Sequence, residues 1–159
     1  MYRNNLIACI LTLACCIILM PSLGTAQTDV VKSLMAALRA DTEALGAPKV
    51  QGGDLYFGNT KVSADAVDAV VKKLGGVASL FVKSGDQFVR VATTLKKEDG
   101  TSAVGTTLAA NSPALAKLKN GEAYYGDATL FDKSYDTGYV PIKDASGAVI
   151  GAFFVGDPK

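Results

Sequence analysis

Arg90 stands in the middle of an apolar stretch, "FVRVA" at 88–92, whose composition predicts a buried strand. A buried guanidinium without a partner destabilises a fold, so this residue must have one. Two interpretations are open. In the first, Arg90 forms a structural ion pair with a carboxylate or reaches the rim of the sheet along its aliphatic stem. In the second, it lines a cavity and donates two parallel hydrogen bonds to the carboxylate of a ligand.

Histidine and cysteine chemistry is excluded for most of the chain. The sequence has no histidine, and its three cysteines, Cys9, Cys15 and Cys16, all lie near the N-terminus. Without that segment there is no such ligand set for a metal, no Ser-His-Asp triad, and no thiol for covalent haem attachment or a disulfide. Asp127 and Asp132 could be considered as a carboxylate pair, but both lie in turn-like, solvated sequence without a nucleophile. We therefore expect no enzyme, no cofactor and no metal centre, with only a weak oxygen-ligated ion such as calcium left open.

The N-terminus has the three-part layout of a secretory signal peptide. Arg3 precedes an uncharged apolar run over 6–20, and small residues follow at 24–26. The run is shorter than the ~20 residues that span a bilayer. We predict a signal peptide over 1–26, cleaved after Ala26, and a mature protein in the periplasm or secreted. Retention of the segment as a membrane anchor is the alternative.

Charge argues against a nucleic-acid partner. Of sixteen basic residues one is Arg3, which leaves fifteen basic residues against fifteen acidic ones in the mature chain. The sequence has no basic stripe of the kind that nucleic-acid-binding proteins carry.

Periodicity divides the mature chain, 27–159, into helices followed by strands. Three helices are predicted: one capped by Thr28 or Asp29 and ended at 46–48, one between Ser63 and Gly75, and a short one after Ser112. Gly52-Gly53 is a break, followed by a short strand or turn. From residue 76 onward the sequence predicts two hairpins, a polar loop over 96–108 and about five antiparallel strands, with ranges 77–83, 87–95, 122–131, 136–144 and 148–156. The pattern is typical of one α+β domain.

Strand alternation places the residues near Arg90. It predicts that Phe88, Arg90, Ala92 and Thr94 share one face, with Val89, Val91 and Thr93 on the other.

Five motifs together resemble a known family. "FVRVATTL", "AVGTTL", "YYGDATLF", "YDTGYVPI" and "GAVIGAFFVG" occur within 88–156 in the order and spacing of the extracellular Cache domain of bacterial methyl-accepting chemotaxis receptors. The resemblance covers 55–156. The most similar subtype is the Cache 3/Cache 2 fusion. The resemblance implies a PAS-like, five-stranded antiparallel sheet with a long N-terminal helix. It also implies that small metabolites, often organic acids or amino acids, bind between the sheet and the loop after the arginine strand.

The resemblance also implies which residues contact the ligand. Arg90 is similar to the carboxylate-binding arginine of related dicarboxylate and citrate sensors. Where those domains carry a histidine and a second basic residue, this chain has Thr93 and Thr137. One positive charge favours a monocarboxylate, an amino acid or a neutral polar ligand over di- and tricarboxylates. The expected ligand-binding residues are Arg90, Thr93, Tyr124, Phe131, Tyr135, Thr137 and Tyr139; for any one tyrosine, a role at the edge of the core is equally open.

Two functions from different classes follow. The sequence ends at Lys159, and from it we expect no second membrane span and no signalling domain. The first expectation is therefore an exported sensor module, linked to chemotaxis or other signal transduction, that reports its ligand to a membrane receptor or a kinase. The alternative is an interaction or scaffold protein that kept the Cache fold without a ligand.

Overall fold

The computed structural model describes residues 23–159, and side chains from residue 29 onward. The helices are α1 (Leu23–Glu43), α2 (Ala64–Leu74) and α3 (Pro113–Lys119). The strands are β1 (Pro48–Gln51), β2 (Asp54–Phe57), β3 (Thr60–Lys61), β4 (Val77–Ser84), β5 (Gln87–Thr93), β6 (Tyr124–Leu130), β7 (Lys133–Lys143) and β8 (Val149–Pro158). Across residues 23–159, no helix combines the length and the apolar character needed to cross a membrane.

Helix α1 packs through one apolar face. Val31, Leu34, Met35 and Leu38 recur at helical spacing and are buried in the core between α1, α2 and the main sheet. The predicted cap at residue 28 or 29 is wrong, because α1 begins at Leu23. Residues 25–27 contain neither proline nor glycine, so nothing there stops the helix. The signal segment predicted over 1–26 lies, apart from its last four residues, outside the described residues.

Helix α2 has the boundaries that its sequence predicts. Ser63 precedes its first turn in an extended conformation, and Gly75 follows its end with φ of +81°. Val67 and Val70 face the core. Its ψ of −166° is not that of a left-handed helical cap, but a positive φ is one that glycine adopts without steric cost.

The main sheet has five antiparallel strands in the order β5-β4-β8-β7-β6. This confirms the five-stranded antiparallel sheet predicted from the sequence. Helices α1 and α2 cover one face, which we call the helix side. Helix α3 and buried residues of the segment between β5 and α3 pack on the other face, around a second core cluster that includes Phe81, Phe154 and Tyr139. The protein is therefore layered, with a separate core on each side of one sheet.

A second, three-stranded sheet was only partly predicted. It has the order β1-β2-β3 and lies beside α1 and α2. Gly52 and Gly53 form the turn between β1 and β2, with φ of +62° and +87°. Strand β1 was missed because its residues 48–51 are mostly exposed and polar, so no alternation marks it. Its partner β2 contributes the buried side chains of Leu55 and Phe57.

A β-bulge interrupts the pairing of β4 with β5. Leu80 of β4 lies opposite Ala92 of β5. The next residue of β4, Phe81, lies opposite Arg90, so Val91 is the extra residue on β5. A bulge of this kind shifts the alternation of side chains on one strand only.

The bulge changes which residues share a face with Arg90. Thr93 lies opposite Ser79, which is on the same side of β4 as the partner of Arg90. Ala92 instead joins the core on the helix side. The predicted face pattern, which placed Ala92 and Thr94 with Arg90 and Thr93 on the other side, is therefore wrong beyond the bulge.

A hairpin that the sequence did not predict joins β6 and β7. The sequence predicted a strand to residue 131 and a new one from 136, whereas β6 ends at Leu130 and β7 begins at Lys133. The two turn residues, Phe131 and Asp132, have φ of +48° and +61°. Asn-Gly is the usual pair for such a turn, so Phe131-Asp132 does not indicate a turn from its residue types.

Candidate functional site

A cavity of about 440 Å³ lies on the side of the sheet opposite α1 and α2. We call it the Arg90 cavity. Its walls are Arg90 of β5, Tyr139 of β7, residues from the segment 106–113 and the stretch 127–131. The walls of the cavity are therefore formed by the sheet, by the loop that follows the arginine strand and by the β6–β7 hairpin.

Arg90 is 3% exposed, and its side chain faces this cavity. One terminal nitrogen donates a hydrogen bond to Thr106 Oγ1 at 2.5 Å. Its Nε is buried and has no hydrogen-bond partner within the described part of the chain. The ion pairs within the described part of the chain join Arg39 or a lysine to a carboxylate, and none of them includes Arg90. The described structure thus contains neither the structural ion pair nor the exposed rim position that the sequence left open.

Aromatic rings hold the guanidinium in place. Its central carbon lies 4.8 Å from the centre of the Phe81 ring and 6.0 Å from that of Phe131. Both distances are within the range of cation–π attraction. Burial lowers the pKa of Arg90 to about 10, against a smaller opposing effect of Tyr139. The side chain is still a cation at pH 7.

Tyr139 supplies a neutral hydroxyl to the same cavity. It is 1% exposed, and burial raises the pKa of its phenol to about 12, while Arg90 acts in the opposite direction. Its ring packs 4.9 Å from the ring of Phe154 on β8. A phenol with so high a pKa stays protonated at neutral pH and can donate a hydrogen bond.

The segment after β5 is bound to the arginine strand by backbone hydrogen bonds. The Arg90 amide donates to the Thr106 carbonyl at 2.8 Å, and the Gly105 amide donates to the Arg90 carbonyl at 2.8 Å. Further along, the Leu108 amide donates to the Phe88 carbonyl at 2.9 Å. The polar loop predicted over 96–108 is thus in part a wall of the cavity.

Thr106 is the residue of this wall that sequence reasoning missed. Its hydroxyl accepts a hydrogen bond from Arg90 and donates one to the Ala103 carbonyl at 2.7 Å. The motif "AVGTTL" at 103–108 contains it, and the resemblance placed the pocket under this loop. Nothing in the sequence alone pairs this threonine with the arginine.

Three of the seven expected ligand-binding residues line the Arg90 cavity: Arg90, Phe131 and Tyr139. Tyr124 is half-buried outside the lining, with its ring 6.2 Å from that of Tyr139. Tyr135 lines a neighbouring cavity together with Phe131. Contact of these residues with a ligand stays a prediction.

The two expected threonines use their hydroxyls within the protein. Thr93 shares the face of Arg90, but its oxygen lies 2.7 Å from Ser79 Oγ and accepts a hydrogen bond from the Leu95 amide at 3.0 Å. The Thr137 hydroxyl donates to the Gly126 carbonyl at 2.5 Å. Neither threonine is part of the cavity lining within the described residues.

The neighbouring cavity, of about 430 Å³, has a different charge. We call it the lysine-lined cavity, because Lys96, Lys97 and Lys133 lie along its walls with one acidic residue, Glu98. Leu130 and Phe131 belong to both cavities. The two spaces are therefore adjacent, with the β6–β7 hairpin tip between them.

The two aspartates considered as a catalytic pair, Asp127 and Asp132, do not line a common cavity. Asp127 lines the Arg90 cavity, and one of its oxygens lies 2.6 Å from Lys159 Nζ. Asp132 is exposed in the hairpin turn and lines neither cavity. Among the described residues, no group of three or more acidic side chains is placed to hold a metal ion.

A third cavity, of about 480 Å³, lies between the end of α1, the strand β3 and the start of α2. Its walls are largely apolar, including Leu45, Phe57 and Val62, with Asp41 and Asp65 among the lining residues. The one buried side-chain polar atom without a partner in the described residues belongs to Arg90, which lines another cavity. The Arg90 cavity is therefore the better candidate for a ligand site.

Comparison with known proteins identifies one family. The family model of the Cache 3/Cache 2 fusion domain matches residues 22–159. No curated protein matches the chain. Solved structures with a similar arrangement include the GAF domain of A. aeolicus nlh2 in an inactive state, at 9% identity over 86% of this chain and 82% of that one, with a TM-score of 0.42. A protein from Rhodococcus sp. RHA1 described as a transcriptional regulator is 13% identical over 86% of both chains, with a TM-score of 0.44.

Proposed function

This chain belongs to the Cache 3/Cache 2 fusion domain family, and we propose that it is an exported sensor module that binds a small carboxylate in the Arg90 cavity. Membership confirms the resemblance seen in the sequence, and Cache domains are extracellular sensor modules that bind small molecules. The periplasmic or secreted location through a cleaved signal peptide, the link to chemotaxis and a membrane receptor or kinase as partner are parts of the proposal.

One observation carries the proposal: a buried arginine that has no carboxylate partner within the described residues and faces a cavity. Desolvation of a cation is unfavourable unless hydrogen bonds and an opposite charge compensate for it. Thr106 satisfies one nitrogen only. A ligand carboxylate in the cavity would supply both the negative charge and acceptors for the remaining donors.

The charge of the cavity favours a ligand with one carboxylate. Among its described lining residues, Arg90 is the one cation and Asp127 the one anion, and Asp127 is paired with Lys159. A second carboxylate would find no further cation on these walls. We therefore propose a monocarboxylate or an amino acid as the ligand. In an amino acid, the ammonium group would suit the side of the cavity where Asp127 lies.

The experiment is calorimetric titration of the full chain with acetate, propanoate, alanine and succinate. Each titration is repeated with Arg90→Gln, Arg90→Lys and the control Arg39→Gln, which removes an exposed arginine paired with Glu43 at 2.9 Å. A charge-assisted hydrogen bond contributes ~1.5–3 kcal/mol, so we expect Arg90→Gln to lose at least about tenfold in affinity. We expect partial recovery in Arg90→Lys and no change in the control.

Two results would count against the proposal. Equal affinity of Arg90→Gln and the unaltered protein for the same carboxylate would remove Arg90 from the site. Absence of binding for every compound, with normal melting of all variants, would favour the scaffold alternative.

A further inference from the structure

Phe131 lies at the boundary between two cavities of different charge. It lines the Arg90 cavity and the lysine-lined cavity, and its ring centre is 6.0 Å from the guanidinium carbon of Arg90. Its neighbour Leu130 is the other residue common to both linings. A ligand held by Arg90 thus meets the Phe131 side chain before it can extend into the second space.

The charge on the far side of Phe131 suits a second anionic group. Three lysines, at 96, 97 and 133, line that cavity with Glu98 as the one acidic residue. In the part of the chain that the structure describes, the ion pairs found involve other lysines. The Arg90 cavity, by contrast, offers one cation and an aspartate. The number of carboxylates that a ligand can place on cations therefore depends on whether it can pass Phe131.

The backbone at Phe131 is strained. Its φ of +48° and that of Asp132, +61°, lie in the left-handed region, where a bulky side chain is a true outlier. Such conformations persist where the surroundings determine them, and they concentrate at binding sites. Glycine or asparagine would satisfy this turn with less strain. The turn alone gives no reason for a phenylalanine, whereas its ring forms part of the wall between the two cavities.

We infer that Phe131 is a specificity-determining residue: its side chain keeps the ligand of Arg90 out of the lysine-lined cavity and so selects molecules with one carboxylate over those with two. The inference rests on the proposed function and deepens it. The Phe131 side chain excludes the second carboxylate of a ligand. The lysines at 96, 97 and 133 would hold that carboxylate if the ring were removed.

The test compares hexanoate with adipate, which have the same chain length and one or two carboxylates. Calorimetric affinities are measured for the full unaltered chain, Phe131→Gly and Asp132→Gly. Glycine adopts a positive φ without steric strain, so both variants should keep the fold, and melting curves verify this. The Asp132→Gly control changes the same turn but leaves the ring in place, and Asp132 lines neither cavity.

We expect the unaltered protein and Asp132→Gly to prefer hexanoate. In Phe131→Gly the ratio of adipate to hexanoate affinity should rise at least tenfold. Adding Lys133→Gln to Phe131→Gly should remove much of that gain, because Lys133 is one of the lysines that would hold the second carboxylate.

The outcomes separate this inference from the proposed function. If hexanoate binds and Arg90→Gln abolishes binding, but the ratio is the same in Phe131→Gly, only the role of Phe131 is wrong. A preference of the unaltered protein for adipate would also overturn that role. If neither compound nor any of the shorter carboxylates binds the unaltered chain, the proposed function is wrong and this inference with it.

Discussion

Arg90 and Phe81 are direct cross-strand partners on β5 and β4, and the guanidinium carbon lies 4.8 Å from the ring centre. A ring thus occupies the position where a structural ion pair would have a carboxylate. The ring's negative face attracts a cation but supplies no full charge and no acceptor for the buried Nε. The protein therefore keeps a partly compensated cation beside a cavity.

Replacing Arg90 by methionine should stabilise the protein without ligand. Among the described residues no carboxylate is left unpaired by the change, and a desolvated charge is removed. We expect a gain of about 1 kcal/mol in the free energy of unfolding, since apolar residues often stabilise where they replace buried charges. Urea denaturation measures it, with Arg39→Met as the exposed control, expected within about 0.5 kcal/mol of the unaltered protein. A loss of ~3–5 kcal/mol would instead indicate that a buried carboxylate had lost its partner.

Thr106→Val should weaken both the fold and ligand binding, because it removes the acceptor of Arg90 and the donor to the Ala103 carbonyl. Leaving buried groups without partners costs about 1–3 kcal/mol of stability. A less constrained guanidinium should also lose about fivefold in affinity for acetate, or ~1 kcal/mol. Thr106→Ser keeps the hydroxyl and should recover both properties. Denaturation and calorimetry on the two variants measure these effects. If Thr106→Val and Thr106→Ser bound acetate with the same affinity, Thr106 would not position Arg90.

Affinity for acetate should be constant from about pH 6 to 9 and fall above about pH 10. Burial lowers the pKa of Arg90 to about 10, so the site loses its cation as the pH rises through that value. A bound carboxylate stabilises the cation, so the bound form keeps its proton while the unliganded form loses it, which makes apparent affinity decrease with pH. Calorimetry across this range measures the profile. Tyr139 opposes the lowering of the Arg90 pKa by burial, so Tyr139→Phe should move the pH at which binding weakens slightly downward.

Asp132→Gly should raise the stability of the protein. Asp132 is exposed and has φ of +61°. This conformation is unfavourable by about 1–2 kcal/mol for most residues, and glycine would remove that cost. The greater conformational freedom of glycine in the unfolded chain lowers the gain in stability by about 0.5–1 kcal/mol. We expect a net gain of about 0.5 kcal/mol by thermal or urea denaturation. Asp86→Gly is the matched control, an exposed aspartate in the β4–β5 turn without a positive φ, and it should lose stability. Equal changes in both variants would contradict the assignment of strain to the β6–β7 turn.

The main sheet was predictable because its strands alternate and two of its three hairpin turns are marked. Gly85 begins the turn between β4 and β5, and Asp144 accepts hydrogen bonds from the Ser146 and Ala148 amides in the turn before β8. The third turn was missed because neither Phe131 nor Asp132 is a residue that marks a hairpin turn in a sequence. The bulge at Val91 has no sequence signal either, since valine is an ordinary strand residue, and its effect appears only in the pairing with β4.

The candidate site was predictable at Arg90 and less so around it. A lone arginine among apolar strand residues is conspicuous, and its burial beside a cavity agrees with the ligand-binding interpretation. The sequence could not show that the hydroxyls of Thr93 and Thr137 form hydrogen bonds within the protein, because their partners Ser79 and Gly126 lie on neighbouring strands. Thr106 was missed because a polar loop looks solvated until its backbone is paired with β5.

That backbone pairing also covers one of the two outer edges of the main sheet. Strand β5 is the outermost strand of its sheet, and an uncovered outer strand can add a strand from another molecule. On this edge, residues 105–108 occupy the carbonyl of Phe88 and both the amide and the carbonyl of Arg90. A ligand that entered by lifting this segment would expose the edge at every opening. A ligand that entered past the β6–β7 hairpin tip would leave this cover on β5 intact through every cycle of binding and release.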